Sequence, residues 1–155
     1  MAIPDFVVSL RSKIGTDPLW LSGVTAVITR GTEILLVQRA DNLKWTPVTG
    51  IIDPGEHPAV AGAREALEEA NVVVTPTKLA LVAVTSPVTY ENGDVTQYLD
   101  LTFHFDWVSG DPYPADGENV QARWFELDDL PQMSQEMRGR ISAALSDDPA
   151  AAFSF

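Results

Sequence analysis

Cysteine is absent from this 155-residue chain, which excludes disulfides and thiolate metal sites. Cations are scarce: ten Lys and Arg stand against twenty-two Asp and Glu, a net charge of −12. A protein that tracks a nucleic-acid polymer needs clustered cations along the phosphates, and the few here are scattered, so such a polymer is not the expected partner. A small anionic ligand, in turn, needs a bridging cation to approach so acidic a chain. No apolar run nears the roughly 18 residues of a membrane helix, and no basic segment followed by an apolar stretch and a cleavage site opens the chain. The expectation is a cytoplasmic protein with no membrane partner. Internal repeats, low-complexity tracts and long linkers are also missing, so one domain over 1–155 is expected. Hydrophobic residues make up 45% of the chain, enough for a packed core at this length.

What is present reads as mixed elements. Residues 4–14 suit a short helix with Phe6, Val7, Leu10 and Ile14 as its apolar stripe and Gly15 as its stop. Segment 1–15 is also the part expected to reach a partner if the protein is a homodimer. Residues 20–30 and 33–39 read as strands joined at Gly31-Thr32. Residues 40–49 form a loop around Trp45 in which Pro47 forbids a long central strand. Residues 77–86 read as a buried strand, and Asn92-Gly93 marks a hairpin after Tyr90. Over residues 95–107, Val95, Leu99, Leu101, Phe103, Phe105 and Trp107 share one face, with Gln97 the polar exception. Thr96, Tyr98, Asp100, Thr102, His104 and Asp106 take the other. A Gly/Pro/Asp loop at 108–118, a strand at 120–127, a closing helix at 134–146 and a loose tail at 147–155 complete the chain. This order implies an α+β fold or an α/β/α sandwich.

The densest chemistry lies in residues 50–72, GIIDPGEHPAVAGAREALEEANV. With 58–70 on a helix, at about 100° per residue, Val60, Ala63, Leu67 and Ala70 share one face and Glu65, Glu68 and Glu69 the opposite one. Like charges at that spacing repel by roughly 0.2–0.5 kcal/mol per pair. Arg64 can match Glu68 at i+4 and leaves two carboxylates over. A divalent cation turns that repulsion into a site, and clustered hard oxygens suit Mg²⁺ or Mn²⁺. A solvated acidic face is the alternative. Gly62 inside the helix costs about 1 kcal/mol against Ala, which points to close backbone packing.

The segment resembles the Nudix box, G-x5-E-x7-R-E-U-x-E-E-x-G-U with U apolar: Gly50, Glu56, Arg64, Glu65, Glu68, Glu69 and Val72 fall at its spacing. Ala66 replaces a larger apolar residue, and Asn71 stands where the family has Gly. Asn is the best substitute in the left-handed geometry that a helix end wants there.

The resemblance implies a Nudix-type α/β/α sandwich around a mixed sheet. It also implies a Mg²⁺-dependent pyrophosphohydrolase, with Mn²⁺ able to substitute, acting on a small nucleotide-like diphosphate. Glu65, Glu68, Glu69 and the Gly50 carbonyl become candidate metal ligands, with Glu69 foremost. Glu56 and Arg64 are expected to tie loop to helix more than to act in catalysis. The general base stays open between Glu65 on the helix and Glu118, with Asp116 beside it, on the 108–118 loop. Arg39, Lys44 and Tyr90 are candidate substrate contacts. A non-catalytic nucleotide-binding or regulatory module of the same fold is the alternative. Isomerase chemistry is disfavoured by the lack of Cys, and a plain acidic structural domain is the last option. The substrate itself is not readable.

Overall fold

A computed structural model describes residues 3–155; residues 1 and 2 of the expected N-terminal segment lie outside the described residues. Strand β1 (Leu19–Arg30) buries Ala26 and Ile28 on one face and Thr25 and Val27 on the other, as a strand covered from both sides must. It runs parallel to β7 (Val95–Ser109) and antiparallel to β2 (Glu33–Arg39) and β4 (Val48–Ile51). Strand β2 also pairs with β3 (Trp45–Thr46) and β8 (Asn119–Glu126). Strand β7 also pairs with β5 (Val73–Val84) and with β6 (Val88–Thr89). The main path through the mixed sheet is β3-β2-β1-β7-β5-β9, ending on β9 (Ala152–Phe153).

Helix α2 (Pro58–Ala70) covers one face, where Ala66 and Ala70 join Ala26, Ile28, Leu35, Val37, Val48 and Phe105 in a core. Helix α3 (Gln135–Leu145) covers the other, where Ile141 and Ala144 pack with Val27, Ile34, Leu36 and Ala80. The fold is the expected α/β/α sandwich. Helix α1 (Asp5–Ile14) is held at the sheet's end by Arg11, which donates to the Val95 carbonyl (2.8 Å) and Thr96 Oγ1 (3.0 Å).

The polar face of β7 is buried at Thr96, Asp100 and Thr102. Thr96 lies under Arg11, and Arg140 of α3 covers the other two, since its Nη1 reaches Thr25 Oγ1 (2.8 Å) and Asp100 Oδ1 (3.4 Å), while Thr25 and Thr102 hydroxyls donate to the Asp100 carboxylate at 3.0 Å. The tail is not loose throughout. Ala152 and Phe153 pair with Leu81 and Val82, and the Lys78 ammonium donates to the carbonyls of Ser146 and Asp148. Unpaired backbone groups along the outer side of β5 give the tail its partners. On α1, Val7 is buried but Leu10 is exposed, because the helix touches the sheet only at its end.

Candidate active site

The approach to α2 is a tight turn. The Glu56 N–H donates to the Asp53 carbonyl (3.0 Å), and the Glu56 carboxylate accepts back from the Asp53 N–H (3.1 Å). Pro58 opens the helix, where its missing N–H costs nothing. Asn71 closes it at φ 57°, ψ 35°, with its N–H shared between the Ala66 and Leu67 carbonyls, the left-handed cap expected of that residue. Gly62 is explained by contact: a Cβ there would stand 2.7 Å from Phe105 Cζ.

The helix is turned differently from its apolar pattern. Val60 and Leu67 are 56% and 51% exposed, whereas Glu65 and Glu69 are 0% and 4% exposed. The face toward the sheet is built from Ala61, Gly62, Ala66 and Ala70 together with the two carboxylates. Small residues let the helix lie close to the sheet, and that closeness takes Glu65 and Glu69 out of water.

Arg64 ties this arrangement together. Its Nε and Nη2 grip both oxygens of Glu56 at 2.9 Å, and Nη2 also donates to the Ile51 carbonyl (3.1 Å). Nη1 reaches Glu65 Oε1 (2.9 Å) and Glu68 Oε2 (3.1 Å). A bidentate guanidinium–carboxylate pair is a rigid joint, so Glu56 and Arg64 lock the turn onto the helix. Glu68 faces outward to Arg64 with 44% of its side chain exposed and does not join the buried pair.

Glu65 lies directly against Gly50, where any Cβ would overlap its carboxyl group. Its Oε2 is buried with no hydrogen-bond partner. Burial pushes the Glu65 carboxyl up to about 7, offset in part by Arg64 and reinforced by the charges of Glu68 and Glu118. Burial likewise pushes Glu69 up to about 8, helped by the Glu65 charge, opposed by a hydrogen bond from Asn119, and reinforced by Glu118 and Asp116. Asn119 Nδ2 donates to Glu69 Oε2 at 3.1 Å.

These residues fit a divalent cation in one specific way. Among the described residues, no three His, Asp or Glu groups converge closely enough to hold an ion alone. Two buried carboxylates, one oxygen of which has no partner, beside the Gly50 backbone form an incomplete oxygen shell. Mg²⁺ tolerates that, since it commonly keeps several waters and shares its shell with substrate phosphate.

The other candidates lie at different distances from this centre. Glu118 precedes β8, close enough for its charge to raise both Glu65 and Glu69. Its loop is stitched down rather than free. Ala115 and Tyr113 N–H groups donate to the Glu69 and Ala70 carbonyls (3.0 and 3.3 Å), and the Ala40 N–H donates to the Glu118 carbonyl (2.8 Å). These bonds satisfy carbonyls that the end of α2 leaves open. Arg39 ends β2 within reach of the Glu118 and Glu69 charges, but its Nε and Nη2 donate to the Asp41 carboxylate (3.0 and 2.8 Å). Lys44 stands exposed in the following turn. The Tyr90 hydroxyl meets that of Tyr98 (2.9 Å) on the β6–β7 hairpin. Neither Lys44 nor Tyr90 bonds to Glu65 or Glu69 among the described residues. Asn119 was not foreseen, because nothing in the sequence marks which way it points.

A family model described as the NUDIX domain matches residues 20–145. The chain belongs to the Nudix family. This Nudix chain is 29% identical over 109 residues to the NAD-capped RNA hydrolase NudC of Stutzerimonas stutzeri, covering 69% of the chain and 37% of that protein. To the NudC of Deinococcus radiodurans it is 30% identical over 116 residues, covering 71% of the chain and 39% of that protein. The Nudix chain thus spans about two-fifths of the length of these relatives. Among solved structures, the MutT NUDIX hydrolase of Burkholderia pseudomallei superposes with a TM-score of 0.63 at 27% identity, covering 81% of this chain and 98% of that one. An ADP-ribose pyrophosphatase of Streptococcus suis gives 0.66 at 21% identity, covering 86% and 98%, and supports the fold.

Proposed function

We propose that the chain is a Mg²⁺-dependent diphosphatase, with Mn²⁺ able to substitute, that cleaves a small nucleoside diphosphate linked to another moiety. The observation that carries this reading is the buried Glu65 carboxylate beside Gly50, one oxygen unpartnered, and close enough to Glu69 for its charge to raise that second buried carboxyl. A stable fold gains nothing by burying two like charges together unless a cation completes them.

Glu65, Glu69 and the Gly50 carbonyl are the residues that would hold the ion, and Glu68 would join them on release from Arg64. When bound, such an ion withdraws charge from phosphate oxygens and acidifies a water. Arg64 and Glu56 keep the helix and the turn in register. Glu118 is the candidate general base, placed by a loop already fastened to α2, so proton abstraction there needs no large closure of the chain. Glu65 is the alternative base. Arg39 lies within reach of the Glu118 and Glu69 charges, and release from Asp41 would free it for a phosphate.

Relatives named as NAD-capped RNA hydrolases and a fold shared with nucleotide diphosphatases motivate the substrate class. The net charge of −12 disfavours a long RNA body and favours the small molecule. A panel of nucleoside triphosphates, ADP-ribose, UDP-sugars, dinucleotides and NAD-capped RNA, assayed for phosphate-bearing products with Mg²⁺ and with EDTA, tests this. Turnover that persists in EDTA overturns the reading. Tight binding without turnover across the panel moves the chain to the non-catalytic alternative. Glu118→Gln should lower kcat by about a hundredfold while leaving metal affinity unchanged; an active variant returns the base to Glu65.

A further inference from the structure

Strand β8 carries a bulge opposite Arg39. Gln121 faces Gln38 and Asn119 faces Arg39, so Val120 is the extra residue between them. In a regular strand Val120 and Ala122 would share the face toward α2, and Asn119 would point the other way. The observed arrangement is reversed at the bulge. Ala122 is buried in the α2-side core, Val120 is 47% exposed, and Asn119 is 6% exposed. The strand thus gives up the burial of an apolar side chain to turn an amide inward, and bulges are a common device for re-aiming a side chain beside a site.

That amide meets Glu69. Its Nδ2 donates to Glu69 Oε2 at 3.1 Å, and Oε2 belongs to a carboxylate that is almost wholly out of water. The residue before it is Glu118, whose carbonyl is pinned by the Ala40 N–H. One short segment therefore carries both the candidate base and a donor to the candidate ligand.

We propose that Asn119 is a positioning residue for the metal site: its amide fixes the rotation of the Glu69 carboxylate and leaves the second oxygen for a divalent cation, and the β8 bulge exists to aim it. The proposal rests on the metal-dependent reading above. Partners that orient a metal ligand in this way are commonly worth ten- to a hundredfold in affinity.

The test is Mn²⁺ affinity of the full chain, measured by electron paramagnetic resonance in the absence of substrate. Asn119→Leu keeps the side chain's bulk and removes its donors, and Asn119→Gln keeps an amide. The expected result is an Mn²⁺ Kd raised by about tenfold or more in Asn119→Leu, partial recovery in Asn119→Gln, and lost turnover in Asn119→Leu that returns at high Mg²⁺. Equal Mn²⁺ affinity in the parent and Asn119→Leu overturns the role given to Asn119 and leaves the metal-dependent reading standing. A parent that binds no Mn²⁺ overturns both. Should Asn119→Leu not fold, Asn119→Ala decides in its place: an unchanged Mn²⁺ affinity without the amide overturns the proposal, and a raised Kd supports it.

Discussion

The two helices of the sandwich cover one sheet from opposite sides, and each buries charge. Under α3, Arg140 meets Asp100 and Thr25, and Thr102 completes the Asp100 shell, so a positive and a negative group close on each other with hydroxyls between. Under α2, Glu65 and Glu69 share one amide from Asn119 and one arm of Arg64, and an oxygen of Glu65 goes unmatched. A buried charge that serves the fold is neutralised within the fold. A charge left short of a counter-ion needs something from outside.

The sharpest way to break this comparison is at Arg140. Arg140→Met removes the cation and leaves Asp100 buried without it, which should cost about 3–5 kcal/mol, read as a large fall in Tm. Glu69→Gln is the counterpart on the other side. It should lower kcat by about a hundredfold if charge at the metal dominates, while the Tm of the metal-free protein holds or rises because a repelling charge is gone. A Tm loss as large as that of Arg140→Met would mean that Glu69 serves the fold instead.

Acidity separates the two sides next. Glu65 and Glu69 are raised from the ordinary 4.5 to about 7 and about 8, so folding favours their protonated forms. Stability from that source is complete below about pH 4.5 and is lost as pH rises through 7 to 8. In EDTA, Tm should therefore fall between pH 5.5 and 8.5, and Mg²⁺ should flatten the fall. Glu56 runs the opposite way. Its pair with Arg64 holds it below the ordinary value, so its contribution is present above about pH 4.5 and lost on further acidification. Calorimetric scans across this range, with and without Mg²⁺, check both signs.

The smallest effect is expected at the tail. Lys78→Met should change global stability by less than about 1 kcal/mol, and should speed amide exchange at Ala152 and Phe153 while leaving α2 unaffected.

Much of this was legible in the sequence. The bounds 33–39 and 58–70 hold to the residue, because Gly31-Thr32, Pro58 and Asn71 punctuate the backbone locally. The rotation of α2 was not legible. Val60 and Leu67 pull the apolar pattern one way, and the fold turns the helix the other way to bury Glu65 and Glu69, a choice that sequence hydrophobicity opposes. Asn119 was hidden for a similar reason. Val120, Ala122 and Trp124 alternate as an inward face should, and only a bulge paired across from Arg39 reverses the first of them. The partner that covers the polar face of β7 was hidden as well, since a helix carrying Arg140 from forty residues further on leaves no local mark. The candidate ligands stood out because their spacing is fixed by one continuous helix, whereas the residues that orient them arrive from distant strands.

Gly50 has a consequence for how this sequence can vary. Every other amino acid carries a Cβ, and at this position a Cβ overlaps the Glu65 carboxyl. Gly31 and Gly55, by contrast, face open space, and their constraint is backbone conformation alone. In a library covering all substitutions, position 50 should therefore behave as a closed site with no tolerated neighbour in sequence space, and any survivor should carry a second change at position 65.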